Sequence, residues 1–220
     1  MDIPIDASQL DSIKGFLDPD EGRRLYEIAM TAGRLGPCLE IGGFCGKSTL
    51  YIGTACRENN SVLYSVDHHR GSEEHQPGEA YFDPELFDPA EGRIDTFRRF
   101  RRTLIRAGLE ETVVPMVCPS HVAARAWSTP LAMVFIDGGH SHAAAFTDYA
   151  AWAGHIPPGG FLVIHDIFKD PQAGGQAPYR IYKLAAGSGL FIKESGVKTL
   201  GVLRRRQPGE VPDGSGDGLD

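Results

Sequence analysis

The chain has 220 residues, 41% hydrophobic and 23% charged, a balance that suits one domain with a sizeable core. Its net charge of −7 argues against a binder of the nucleic-acid backbone, which relies on clustered Lys and Arg. No stretch approaches the roughly 20 apolar residues of a membrane span, and the start of the chain lacks a basic segment leading into an apolar one, so a cytoplasmic protein without a membrane partner is expected.

Taken in order, Asp18-Pro19-Asp20-Glu21 opens a helix that should run to about Ala32: Asp18 can cap it, Pro19 suits the first turn, and Glu21 completes a capping box. Strands are expected at Pro37–Ile41, Ser61–Asp67, Thr112–Cys118, Leu131–Asp137 and Gly160–Asp166. Between them helices are expected near Ser48–Arg57, Ile94–Ala107, Val122–Trp127 and Ala143–His155. A further helix at Tyr179–Ala186 precedes a hairpin of Leu190–Glu194 with Thr199–Arg204. This alternation predicts an α/β domain, a Rossmann-like doubly wound sheet of seven strands with the last antiparallel and a helical N-terminal extension.

In domain terms, residues 1–36 form a helical cap, 37–206 the α/β domain, and 207–220, rich in Pro, Gly, Ser and Asp, a disordered tail. The arginines of Phe97–Arg102 read as the wet face of a helix. Cys38, Cys45, Cys56 and Cys118 show no CxxC spacing and read as reduced thiols. His68–Arg93 is too long and polar for an ordinary strand-to-helix connection, and reads as a lid or substrate-binding loop.

The turn Glu40-Ile41-Gly42-Gly43-Phe44-Cys45-Gly46-Lys47-Ser48-Thr49 follows the first strand. Glycines there allow a ligand close to the backbone at a helix N-terminus. Gly46-Lys47-Ser48 resembles the end of a phosphate-binding loop, but the glycine required five residues earlier is Ile41. The dinucleotide spacing G-x-G-x-x-G fails at Phe44.

What remains, Glu-x-Gly-x-x-x-Gly-x-Ser-Thr, resembles the first motif of class I methyltransferases, which implies S-adenosylmethionine as cofactor. Glu40 suits its cationic sulfonium and ammonium, and Gly42, Gly43 and Gly46 let the backbone lie against it, with Ser48 opening the helix. Asp67, about 25 residues after the glycines, can accept from both ribose hydroxyls, with His68 beside it. Ser120 stands in Cys118-Pro119-Ser120, where relatives place a Gly-Asp-Ser near the adenine.

A second block, Ile136-Asp137-Gly138-Gly139-His140, then Asp148, Trp152, Pro158-Gly159-Gly160 and His165-Asp166, resembles a methyltransferase family that contains metal-dependent macrolide-sugar O-methyltransferases. Asp137 and Asp166 each end a strand. If those strands are neighbours, about 4.8 Å apart, the two carboxylates repel unless protonated or bridged by a cation such as magnesium.

The resemblance implies Asp137 and Asp166 as metal ligands, Asp137 also at the cofactor edge and the catalytic centre, and His140 as general base. His165 stands where those relatives carry an acidic third ligand. It reads either as a third ligand for a more nitrogen-tolerant metal or as a packed core histidine. Asp148 and Trp152 share a helix face and read as packing and anchoring residues. The expected reaction is methylation of a small-molecule or sugar hydroxyl. A metal-independent N- or O-methyltransferase is the first rival and a P-loop or dinucleotide enzyme a distant one. The oligomeric state, homo-oligomer included, is open.

Overall fold

The computed structural model describes residues 3–210. In chain order the elements are α1 (Ala7–Ser12), α2 (Pro19–Ala32), β1 (Cys38–Ile41), α3 (Lys47–Glu58), β2 (Leu63–Val66), β3 (Phe87–Asp88), β4 (Arg93–Ile94) and α4 (Phe97–Ala107). Then come β5 (Val113–Met116), α5 (Ser120–Ala123), β6 (Met133–Ile136), α6 (His142–Trp152), β7 (Phe161–Ile164), α7 (Ala177–Gly187), β8 (Phe191–Val197) and β9 (Leu200–Arg205). Seven strands form one sheet in the order β5-β2-β1-β6-β7-β9-β8. The first five are parallel, and β9 runs antiparallel to both β7 and β8.

The apolar strands are explained by burial on both faces. Side chains alternate along a strand, so Cys38, Met133 and Phe135 join the cluster under α2, α3 and α4. Their chain neighbours Leu39, Val134 and Ile136 join the opposite cluster, with Trp152 of α6 and Ile181 of α7. α4 buries Phe100 and Leu104 while Arg98, Arg101 and Arg102 face outward, as the sequence predicts. All four cysteines are free. No helix among the described residues is long and apolar enough to cross a membrane.

Asp18 caps α2 through the expected capping box with Glu21. α2 packs in the cluster under the sheet, so the cleft is roofed instead by the segment before it, around Lys14–Leu17. The long loop after β2 carries more structure than its composition suggests. Two 3-10 turns and the β3–β4 ribbon bury Leu86 and Ile94 against Cys45. Of the tail expected to be disordered, Gln207–Glu210 folds back, with Arg204 paired to Glu210 at 2.7 Å. The remainder of that expectation lies outside the described residues.

Candidate active site

The strand order reverses between β1 and β6, each leading away from the other across the sheet. Ligands of open α/β sheets bind outside the carboxyl ends of the strands at such a point. A cavity of about 590 Å³ lies there, within the range of small-molecule sites. Gly42, Gly43, Ser48, Asp67, His68, Ser120, Asp137, His140, His165 and Asp166 all line it.

Gly42 sits at the closest approach of β1 to the chain leaving β6. Its φ is +93°, and a Cβ there would lie 2.1 Å from the Asp137 carbonyl oxygen. Gly46, at φ +95°, begins α3 against Thr103, and Gly43 packs on Ser65 and Phe100. Both pack against neighbouring side chains, and of the two Gly43 lines the cavity while Gly46 does not.

Glu40 corrects the sequence reading. It is 0% exposed and absent from the cavity wall, because its carboxyl group turns into the protein. Ser48 Oγ donates to it at 2.9 Å, Ser65 Oγ at 2.7 Å, and Thr49 Oγ1 completes the set. Burial pushes its pKa up to about 7 against the pull of these three hydroxyls. Glu40 therefore braces α3 and β2, and in this structure its carboxyl does not line the cavity. Ser48 is likewise occupied with Glu40.

Asp67 faces the cavity with each oxygen holding one backbone donor: the Phe44 N–H at 2.8 Å and the His69 N–H at 2.6 Å. An ionised carboxylate has about four acceptor sites, so two remain. His68 is half-exposed beside it, whereas His69 is buried against Thr96 and His142 is exposed at the start of α6. Ser120 accepts from the buried Trp152 indole N–H at 2.7 Å. Asp148, expected to anchor its helix, also lines the cavity, and burial pushes its pKa up to about 6.

At the far strands Asp137, His140 and Asp166 each bring one ligand atom within 4.8 Å of the others. Asp166 does so from a left-handed backbone, φ +58°, a conformation costly for a residue with a Cβ and frequent at functional sites. His140 Nε2 lies 3.0 Å from Asp166 and Nδ1 3.3 Å from Glu74 of the long loop. The Asp166 hydrogen bond outweighs burial and lifts the His140 pKa to about 9.

His165 does not complete this group of three. It is 5% exposed, and both ring nitrogens are engaged: Nδ1 with Asp137 and Nε2 with Glu21, each at 3.0 Å. Burial works against its charge, but Asp137 first, with Asp166 and Glu21, holds its pKa far above the imidazole range. His165 is thus a buried cation. It also helps to hold Asp166 well below the usual carboxylate range, against burial and together with His140.

A family described as a methyltransferase domain matches residues 39–167. The chain belongs to this class I, S-adenosylmethionine-dependent methyltransferase family. Among solved structures, the methyltransferase is similar to cofactor-bound Rv0187 from MTB (TM-score 0.63, 16% identity, covering 91% of this chain and 87% of that one). It is similar to the O-methyltransferase TomG from Streptomyces achromogenes in complex with SAM (0.58, 17%, 87% and 82%). It also resembles an O-methyltransferase from Bacillus cereus in complex with SAH (0.61, 16%, 92% and 93%). At these identities the likeness is one of fold.

Sequence reasoning missed Glu21 as a site residue. Its Oε2 meets His165, and its Oε1 accepts from Thr199 N and Oγ1 at 2.8 and 2.7 Å. The capping box already explained a glutamate there, so no local signal was left to find.

Proposed function

We propose that this methyltransferase moves the methyl group of S-adenosylmethionine to a hydroxyl oxygen of a small molecule or sugar. The observation that carries this is the convergence of Asp137, His140 and Asp166 in the cavity that also holds the glycine turn and Asp67. In this reading Asp67 accepts hydrogen bonds from the ribose hydroxyls with its two spare acceptor sites. Gly42 and Gly43 let the methionine portion lie against the backbone, and Ser120 and His68 flank the nucleoside. The bound cofactor supplies an electrophilic methyl on a sulfonium.

The carboxylates of Asp137 and Asp166 suit a divalent cation such as magnesium or manganese and would hold it, leaving His140 beside them to act as base. Such an ion supplies Lewis acidity, drawing down the pKa of a hydroxyl placed on it. His140 in its neutral form takes the hydroxyl proton on the ring nitrogen released from Asp166 or Glu74. The roof segments, the Lys14–Leu17 stretch and the Ser72–His75 turn, exclude water from the transfer.

A second reading is favoured by His165. Its positive charge already lies 3.0 Å from Asp137 and 3.6 Å from Asp166, so the carboxylates are compensated by the protein itself. Methyl transfer aided by His140 alone is then sufficient. Calorimetry with S-adenosylhomocysteine tests the cofactor, and a silent titration overturns the proposal. Loss of turnover with a chelator, restored by magnesium, selects the cation-assisted version; indifference to chelator selects the second.

A further inference from the structure

The arginine face of α4 borders a second cavity, which shares only Lys14 with the wall of the cofactor cleft. It encloses about 60 Å³, against about 590 Å³ for the cleft, so it has room for an oxyanion and none for a nucleoside. Arg99, Arg102 and Arg106 reach it from α4, where spacings of three and four put them on one face. α1 forms the facing wall, tied there by the Gln9 amide, which donates to the Arg106 carbonyl oxygen at 2.9 Å. The floor is closed: Cys45 and Leu50 are buried, and Thr103 Oγ1 donates to the Cys45 carbonyl oxygen at 2.8 Å.

The charge around this cavity is unbalanced. The chain holds 29 Asp and Glu against 22 Lys and Arg, yet four cations and no carboxylate line the cavity. Two of the four have partners: Lys14 pairs with Asp83 and Glu85, and Arg99 with Glu85 at 3.1 Å. Arg102 and Arg106, both exposed, pair with no carboxylate among the described residues. Like charges gathered without a counter-charge repel one another, and a bound anion removes that cost. A guanidinium presents a planar fork of N–H donors that matches phosphoryl oxygens. Two unpaired guanidinium groups also balance the charge of one phosphate dianion.

We infer that this cavity binds a phosphate group, held by Arg102 and Arg106 with Arg99 and Lys14 beside them. The ligand is either a free phosphate ion or the phosphoryl end of a small metabolite whose remainder projects into solvent past the two exposed arginines. Methyl transfer uses none of these arginines, so the site stands whether or not the cleft is a methyl-transfer centre.

The test is calorimetry of the full chain with inorganic phosphate and with glucose 6-phosphate at constant ionic strength, with and without S-adenosylhomocysteine. Saturable binding of one phosphate per chain is expected, unchanged by S-adenosylhomocysteine. Arg102→Gln and Arg106→Gln, at exposed positions that leave the fold intact, should each weaken it about tenfold. Arg98→Gln and Arg101→Gln, on the same helix but off the cavity wall, should leave it within about twofold. Glu85→Gln releases Arg99 from its pair and should tighten binding about threefold. Binding of inorganic phosphate alone assigns the free ion; equal or tighter binding of glucose 6-phosphate assigns a phosphoryl group on a larger molecule. Silence with both probes overturns the site, as does indifference to Arg102→Gln and Arg106→Gln. Equal losses in Arg98→Gln and Arg102→Gln would mark diffuse attraction to the helix, and displacement of phosphate by S-adenosylhomocysteine would put the anion in the cleft. Either result also overturns it.

Discussion

The Glu21 carboxylate, in the first turn of α2, lies 3.0 Å from Nε2 of His165, the residue after β7. The contact joins residues 144 apart in sequence and continues through His165 Nδ1 to Asp137. Neutralising Glu21 removes one of the buried counter-charges of His165, leaving it Asp137 and Asp166. Glu21→Gln should destabilise the protein by about 2 kcal/mol in denaturant unfolding at pH 7. It should also slow methyl transfer, because the His165 contact that orients Asp137 is loosened. Unchanged unfolding and turnover would show that the contact does neither.

Glu40 makes a pH prediction. Its carboxyl has a folded pKa of about 7 against 4.5 for the free group. Between those values the native state binds more protons than the unfolded chain, so this group's contribution to stability falls as pH rises. The full difference is roughly 3 kcal/mol. Unfolding midpoints followed from pH 4.5 to 7.5 should therefore decline less in Glu40→Gln than in the wild type. Parallel curves for the two proteins would refute the assignment.

His140 makes another. With a pKa of about 9, only about one molecule in a hundred carries it neutral at pH 7. A base must be neutral to accept a proton, so the rate without added metal should climb with pH up to about 9. Magnesium, by compensating Asp137 and Asp166, should move that limb to lower pH. His140→Ala should abolish the limb and cost roughly 10²-fold in kcat. A flat pH–rate profile in the wild type would remove His140 from the chemistry.

Gly42→Ala would place a methyl 2.1 Å from the Asp137 carbonyl oxygen at φ +93°. Strain and overpacking together predict a loss of about 2–4 kcal/mol in thermal unfolding. The same shift should weaken S-adenosylhomocysteine in calorimetry, because both sides of the cleft floor move. Normal cofactor affinity in a folded variant would separate this contact from the binding site.

Much of the fold was legible because the strands announce themselves. Met133–Ile136 is apolar at every residue and Leu63–Val66 at all but Ser65, as strands of a sheet covered on both faces are. Asp67 and Asp137 follow directly on β2 and β6, and Asp166 stands two residues past β7, so topology alone brings them to one rim. The burial of Glu40 was not legible, because its spacing to the glycines is the same whether the side chain points out or in, and only packing decides that. The short helix α1, the β3–β4 ribbon and the packing of the long loop on the N-terminal stretch were invisible for a related reason. They are assembled from contacts between distant segments such as Phe16 with Tyr81, with no periodicity of their own.

The clasp of Lys14 with Asp83 and Glu85 has a consequence in different media. It ties the N-terminal stretch to the long loop through partly solvated charges, and ions at physiological strength screen such charges over about 8 Å. Raising salt should slacken this tie between the N-terminal stretch and the long loop. Ionic strength is then expected to tune how firmly these two segments are joined while leaving the Asp137, His140 and Asp166 group in place.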